Sequence, residues 1–241
     1  YVGIAETIPV GGVNFGQKDV TTRKMGRGIA IPYEITQYVA INIVSIFMQD
    51  FGVKLGLGLD NALIQVLING EQSSGSESAP VIGVEDVPTG IQYMDYLRTW
   101  IRMSRIGRRA DTIISGEAMG IKTLEMEDFK QRSQGTTNST VDLKTPYPSR
   151  SNYYIHGAMP ADQAMVVDST ASVIKLNSQP LKVESDKIVQ NQTEEFYASL
   201  TTGYAVIYRD ARVIIDESLA FAAAGFPTYM DVDAAEQVVF E

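Results

Sequence analysis

The sequence predicts a chain of mixed helix and strand, with the long helices early and the strands crowded into the second half. Three observations carry that expectation. Apolar residues recur at every fourth position through Ile43, Phe47, Phe51, Leu55, Leu59, Leu63 and Leu67, a helical spacing sustained over 43–69. Short runs at 112–115, 153–156, 164–168 and 212–215 read as strands. The longer stretch 194–208 has the length of either element, and its Tyr, Thr and Val tilt it toward strand.

Taken in order, residues 1–32 read as a two-stranded excursion. Positions 1–10 alternate loosely, Gly11, Gly12 and Gly16 mark a turn, and 19–31 returns to Pro32. This arm carries Lys18, Arg23, Lys24 and Arg27. Two strands alone are marginal in water, so the hairpin must rest on its own domain or on a neighbouring subunit.

In the helix at 43–69, each step of four residues overshoots a full turn by about 40°, so the apolar stripe winds around the axis. A helix buried against different neighbours along a length of roughly 40 Å shows this pattern. Gly52, Gly56 and Gly58 cost about 1 kcal/mol each relative to Ala. They are tolerable where another backbone approaches closely or the helix bends. Asn69-Gly70 is a helix stop.

The Ser- and Gly-rich stretch 72–79 is a connector and the clearest internal boundary. A second helix is expected over 91–106, with Met94, Leu97, Ile101 and Met103 as apolar positions. Arg98, Arg102, Arg105 and Arg109 form a basic stripe along it. A helix at 117–127 opens with acidic residues, 130–150 is a polar loop, and 172–189 alternates as a hairpin around 177–180. The chain contains no internal repeat.

Composition narrows the function classes. The net charge of -9 argues against a protein that grips phosphate backbones. It suits a wall that must not hold its contents tightly. Without cysteine, disulfides, thiolate metal sites and thiol nucleophiles are excluded. No apolar run approaches the roughly 18 residues that cross a bilayer. The chain opens at Tyr1 without Met or a signal-like segment. Such a start fits a processed product or a missing first part.

Little in the sequence points to catalysis. His156 is the only histidine, no G-x-S-x-G elbow occurs, and the Gly-containing turns at 11–16 and 115–120 lack the phosphate-binding patterns. Asp231, Asp233 and Glu236 lack the Gly and later Glu of a calcium loop and read as a solvated tail. No cofactor or metal is expected. The arginine stripe has three readings: a solvated face, a contact with carboxylates on another copy and, least favoured by the net charge, nucleic acid.

The order of segments is similar to a known family. IPYEITQ (31–37) enters a long helix that ends in LIQVLING (63–70), and after a polar connector comes RRADTIISGEAM (108–119). AMVVDSTASVIKL (164–176) and TEEFYASLTTGYAVIYRDARVIID (193–216) follow. Together these resemble the tailed-phage major capsid proteins of the Hong Kong 97 type, through Asp216.

The resemblance implies an α+β subunit with an E-loop hairpin arm at 1–32, a spine helix and part of the P domain at 33–71, and an A domain at 72–170. P-domain strands at 171–211 and a final strand with tail at 212–241 complete it. It further implies self-assembly into pentamers and hexamers of an icosahedral shell around double-stranded DNA, which the wall contacts only non-specifically. The location would be the virion, assembled in the host cytoplasm. Scaffolding, portal and decoration proteins would be further partners, and no membrane is involved.

On this reading Lys18, Arg23, Lys24 and Arg27 contact a neighbour from the arm, and Arg98, Arg102, Arg105 and Arg109 contact one from the A domain. Encapsulin-type compartments share the fold and are the nearest rival. A soluble α+β enzyme or ligand-binding domain is the rival from another class.

The family's best-known member joins an E-loop Lys to a P-domain Asn, helped by a Glu seven residues later. Alignment on YRDARVII (208–215) puts Thr193 at the Asn position and Leu200 at the Glu position. A shell without covalent cross-links is therefore expected.

Overall fold

The computed structural model describes residues 20–38, 43–71, 78–126, 151–227 and 230, and arranges them as two sheets with helices packed on them. The arm residues 1–19, including Lys18, the connector 72–77, the loop 127–150 and the acidic cluster at 231–236 lie outside the described residues.

The α+β class is as the sequence predicts. A short helix α1 (Tyr33–Tyr38) leads to α2 (Ile43–Asn69), which has the expected bounds. Gly70 ends α2 at φ 75°, in the left-handed region that glycine enters freely, and its N–H donates to the Val66 carbonyl at 2.8 Å. The winding stripe has its counterpart in burial. Phe51, Ile64 and Leu67 are buried and Leu55, Leu59 and Leu63 half-buried, while Ile46, Val53 and Leu57 stand 55%, 64% and 52% exposed. A Cβ added at Gly52, Gly56 or Gly58 would meet nothing within 4 Å, so among the described residues no backbone makes the expected close approach.

One expectation needs correction here. Averaged along its length, Ser45–Asn69 is long and apolar enough to cross a membrane, because the few polar residues interrupt apolar runs without outweighing them. In this fold its C-terminal half instead packs into a core with Met165, Val167 and Ile214.

The second arm of the excursion becomes β1 (Arg23–Pro32), the edge of a three-stranded antiparallel sheet ordered β1-β7-β6. It pairs along its whole length with β7 (Thr193–Val206), from Arg23 opposite Thr202 to Pro32 opposite Thr193. Residues 23–32 are therefore a folding element of their own domain.

The hairpin expected at 172–189 is instead a single strand, β6 (Val173–Ile188), paired with β7. The turn residues at 177–180 sit where the register shifts, so they make bulges and do not reverse the chain. Pro180 is tolerated because β6 is an edge. The reversal comes at 189–192, where Gln192 adopts φ 51°.

The second sheet has the order β2-β8-β5-β3-β4, built from β2 (Val81–Val84), β3 (Thr112–Ser115), β4 (Asn152–Ile155), β5 (Gln163–Val167) and β8 (Arg212–Ala220). Its outer pairs, β2 with β8 and β3 with β4, are parallel; the inner pairs are antiparallel. Both faces are covered, so alternate residues feed two cores. Val213 and Ile215 join Ile82, Met103, Ile113 and Val166 on one side, while Ile214 joins Leu67, Met165 and Val167 on the other.

Helices α3 (Tyr93–Arg105) and α4 (Glu117–Glu125) cover the first core with Tyr96, Met103 and Met119. The segment after β8 forms α5 (Phe221–Ala224) and returns to the same core, where Met230 is completely buried.

Candidate assembly surfaces

Arg23, Lys24 and Arg27 stand on β1 with exposed side chains. Alternation along the strand puts Arg23, Met25 and Arg27 on one face and Lys24, Gly26 and Gly28 on the other. On the second face the Tyr197 ring lies where a Cβ at Gly28 would stand, 2.5 Å away. Strand β1 is thus held flat against β7.

The four stripe arginines do not behave alike. Arg98 is one-quarter exposed, pairs with Asp95 at 3.3 Å and with Glu85, and stacks over Phe221 at 4.4 Å. Arg102 lies over Phe226 at 5.2 Å. Such stacks contribute about 0.5–1 kcal/mol at exposed sites and more where water is excluded. Arg105 and Arg109 are exposed.

Arg108, which lies off the stripe, went unremarked in the sequence. Its guanidinium forks onto Asp210 at 3.0 and 3.2 Å and covers Tyr208 at 4.2 Å. It ties the exit of α3 to the turn before β8.

Asp168 fixes the backbone beside Arg109. It is buried, and burial pushes its carboxyl up. The N–H groups of Arg109 at 2.9 Å and Thr170 at 3.1 Å, the Thr170 hydroxyl at 2.7 Å and the Ala171 N–H more than offset this. Its pKa is therefore lowered, below the ordinary carboxylate value near 3.9. A depressed folded pKa means stabilisation that is complete above the unfolded value and lost as pH falls through the folded one. Urea unfolding from pH 7 down to about pH 3 is expected to show a steeper loss for the wild type than for Asp168→Asn. Equal slopes would refute the assignment.

The concave surfaces are open grooves. One of about 560 Å³ runs between β1, α2 and β7, lined by Arg23, Asn61, Gln65, Glu71 and Thr202. Three of its polar groups are spent within the chain. Gln65 accepts from Asn69 at 3.0 Å, Glu71 from the Val206 N–H at 2.6 Å, and the Thr202 hydroxyl donates to the Leu176 carbonyl at 3.1 Å. His156 follows β4, where its Nδ1 accepts the Ala158 N–H at 3.1 Å and closes a local turn. Among the described residues, no group of three or more His, Asp or Glu is placed to hold a metal.

Solved structures match this arrangement. The capsid of an empty GTA particle matches with a TM-score of 0.60 at 13% identity, over 82% of this chain and 74% of that one. The capsid of cyanophage P-SCSP1u matches with a TM-score of 0.57 at 11% identity, over 90% and 81%.

The chain has the Hong Kong 97-type capsid fold. The SrpI encapsulin of Synechococcus elongatus shares that fold and matches with a TM-score of 0.57 at 13% identity, over 81% of this chain and 74% of its own. At such identities the likeness is one of fold. No family model and no curated protein matches the chain. Among the described residues α2, with 27 residues, is the longest helix, and it packs against β7 of the long antiparallel pair β6–β7.

Proposed function

We propose that this chain is the major capsid protein of a tailed phage, a structural subunit and not an enzyme. It assembles with itself into the pentamers and hexamers of an icosahedral head enclosing double-stranded DNA. The observation that carries this reading is the fold itself. The solved capsids of the GTA particle and the cyanophage share it over more than four-fifths of this chain.

Surface chemistry supports the proposal. Ile46, Val53 and Leu57 recur on one face of α2, and an apolar strip this exposed on an isolated subunit fits burial by another copy. On the arm, Lys18, Arg23, Lys24 and Arg27 supply positive charge to a negatively charged neighbour. Since 23–32 is tied to β7, its basic side chains would meet that neighbour from the exposed edge of the sheet.

An encapsulin-type compartment is the second reading, favoured by the encapsulin match. The test is sedimentation of the expressed chain, followed by analysis of what the particles enclose. Shells protecting DNA in the native source support the phage reading, and shells loaded with an enzyme support the compartment. A chain that stays monomeric at every concentration would refute both.

A further inference from the structure

We propose that the segment following β8, residues 221–227 with Met230, is a latch over α3. It keeps Arg98 and Arg102 inside the subunit and leaves Arg105 and Arg109 for a neighbouring copy. The assignment of Arg105 and Arg109 rests on the shell reading above; the latch itself does not.

Three separate parts of the chain converge on Arg98. Asp95 lies one turn back on α3, Glu85 just beyond β2, and Phe221 opens α5. Arg102, one turn further along α3, meets Phe226. The two rings touch edge to face with centroids 5.6 Å apart, so they present one aromatic surface to two guanidinium groups.

The backbone is built to allow this. Gly225 at φ 55° turns the chain between the two rings. Gly83 lets the strand end pass, since a Cβ there would stand 2.3 Å from the Leu219 carbonyl oxygen. Beyond the rings, the fully buried Met230 anchors the segment in the core. Arg105 remains exposed at the C-terminal end of α3 and Arg109 beyond it, past the turn at Gly107 (φ 76°), with the Arg109 backbone fixed by Asp168. The charge offered to another copy is therefore set by how far the latch extends along the stripe.

The test uses the full chain. Hydrogen exchange is read on unassembled subunits, and assembly is followed by light scattering at low and high salt. Arg98→Gln with Arg102→Gln, and separately Phe221→Leu with Phe226→Leu, are expected to raise exchange across 217–227 by about tenfold, the size that two such stacks carry. The leucines keep apolar bulk, so folding is retained while the ring contacts are lost. Both pairs should leave the salt response of assembly as in the wild type.

Arg105→Glu with Arg109→Glu should leave exchange unchanged and weaken assembly more at low salt than at high salt, because salt screens exposed charges. Unchanged exchange in both the glutamine and leucine pairs would overturn the latch. A glutamine pair that alters the salt response as much as the glutamate pair would overturn the division of the stripe. If the wild type forms no shells, the shell reading and the role of Arg105 and Arg109 fall together, and the exchange result still decides the latch.

Discussion

Gly116→Ala is expected to destabilise the subunit by about 3 kcal/mol, the upper end for forcing one extra carbon into a filled space. The backbone at Gly116, φ -70° and ψ 168°, is one that any residue adopts, so the cost is not conformational. It is one of space. An added Cβ would lie 1.9 Å from the Pro160 carbonyl oxygen and 2.7 Å from the Ala161 Cα.

That loop cannot retreat, because it is tied on both sides of the clash. The Gly116 N–H donates to the Gln163 carbonyl at 2.9 Å and the Met119 N–H to the Ala161 carbonyl at 2.8 Å. Relief would have to break the bonds that join β3 and α4 to β5. Gly157→Ala is the control: nothing lies within 4 Å of its added Cβ, and a change within about 0.5 kcal/mol is expected. Urea unfolding of both variants checks the pair, and similar small changes in the two would show that the loop yields.

Particles of this chain, boiled in detergent, are expected to release a single species with the mass of one subunit and no multimers. Thr193 opens β7 opposite Pro32, and Leu200 is a buried residue of the same strand. Neither offers the amide or the carboxylate that an isopeptide bond requires. Asn191 is exposed in the turn before β7, yet the nearby carboxylates are engaged: Glu194 lies 3.9 Å from the Lys187 ammonium and Glu195 accepts the Tyr197 hydroxyl.

Lys24 sits opposite Thr201, roughly 30 Å along the strand from Asn191 at 3.3 Å per residue, so the two cannot meet within one subunit. Between subunits the obstacle is chemical. A lysine amine is protonated and not nucleophilic near neutral pH unless a base takes its proton. A ladder of multimers, with Lys18 or Lys24 joined to Asn191 in peptide mass spectrometry, would overturn this expectation.

Much of the fold was legible where one local signal had one structural meaning. The four-residue spacing and Asn69-Gly70 gave α2 its bounds, and apolar runs marked β3, β4, β5 and the start of β8. Strand β2 was missed because VIGV is four residues long and contains a glycine that is explained only by its close contact with the Leu219 backbone. The 177–180 segment was misread because a bulge on an edge strand and a hairpin turn draw on the same residues.

The arginine stripe was visible as a periodicity, but its partners were not. Phe221, Phe226 and, for Arg108, Asp210 lie far along the chain, and the first two reach α3 only through tertiary packing, with Phe226 resting on the core beside the buried Met230. The arm divides in the same way. Its length and charge suggested a partner, and the register of β1 on β7 shows that 23–32 has one at home.

The central claim is that copies of this chain form a closed shell, and electron microscopy of particles carrying the chain tests it most directly. The expected result is an icosahedral reconstruction whose wall is built of this fold in groups of five and six, with Ile46, Val53 and Leu57 of α2 covered by a neighbouring copy. Particles whose wall is made of another protein, or a wall in which that face of α2 stays open to solvent, would contradict it.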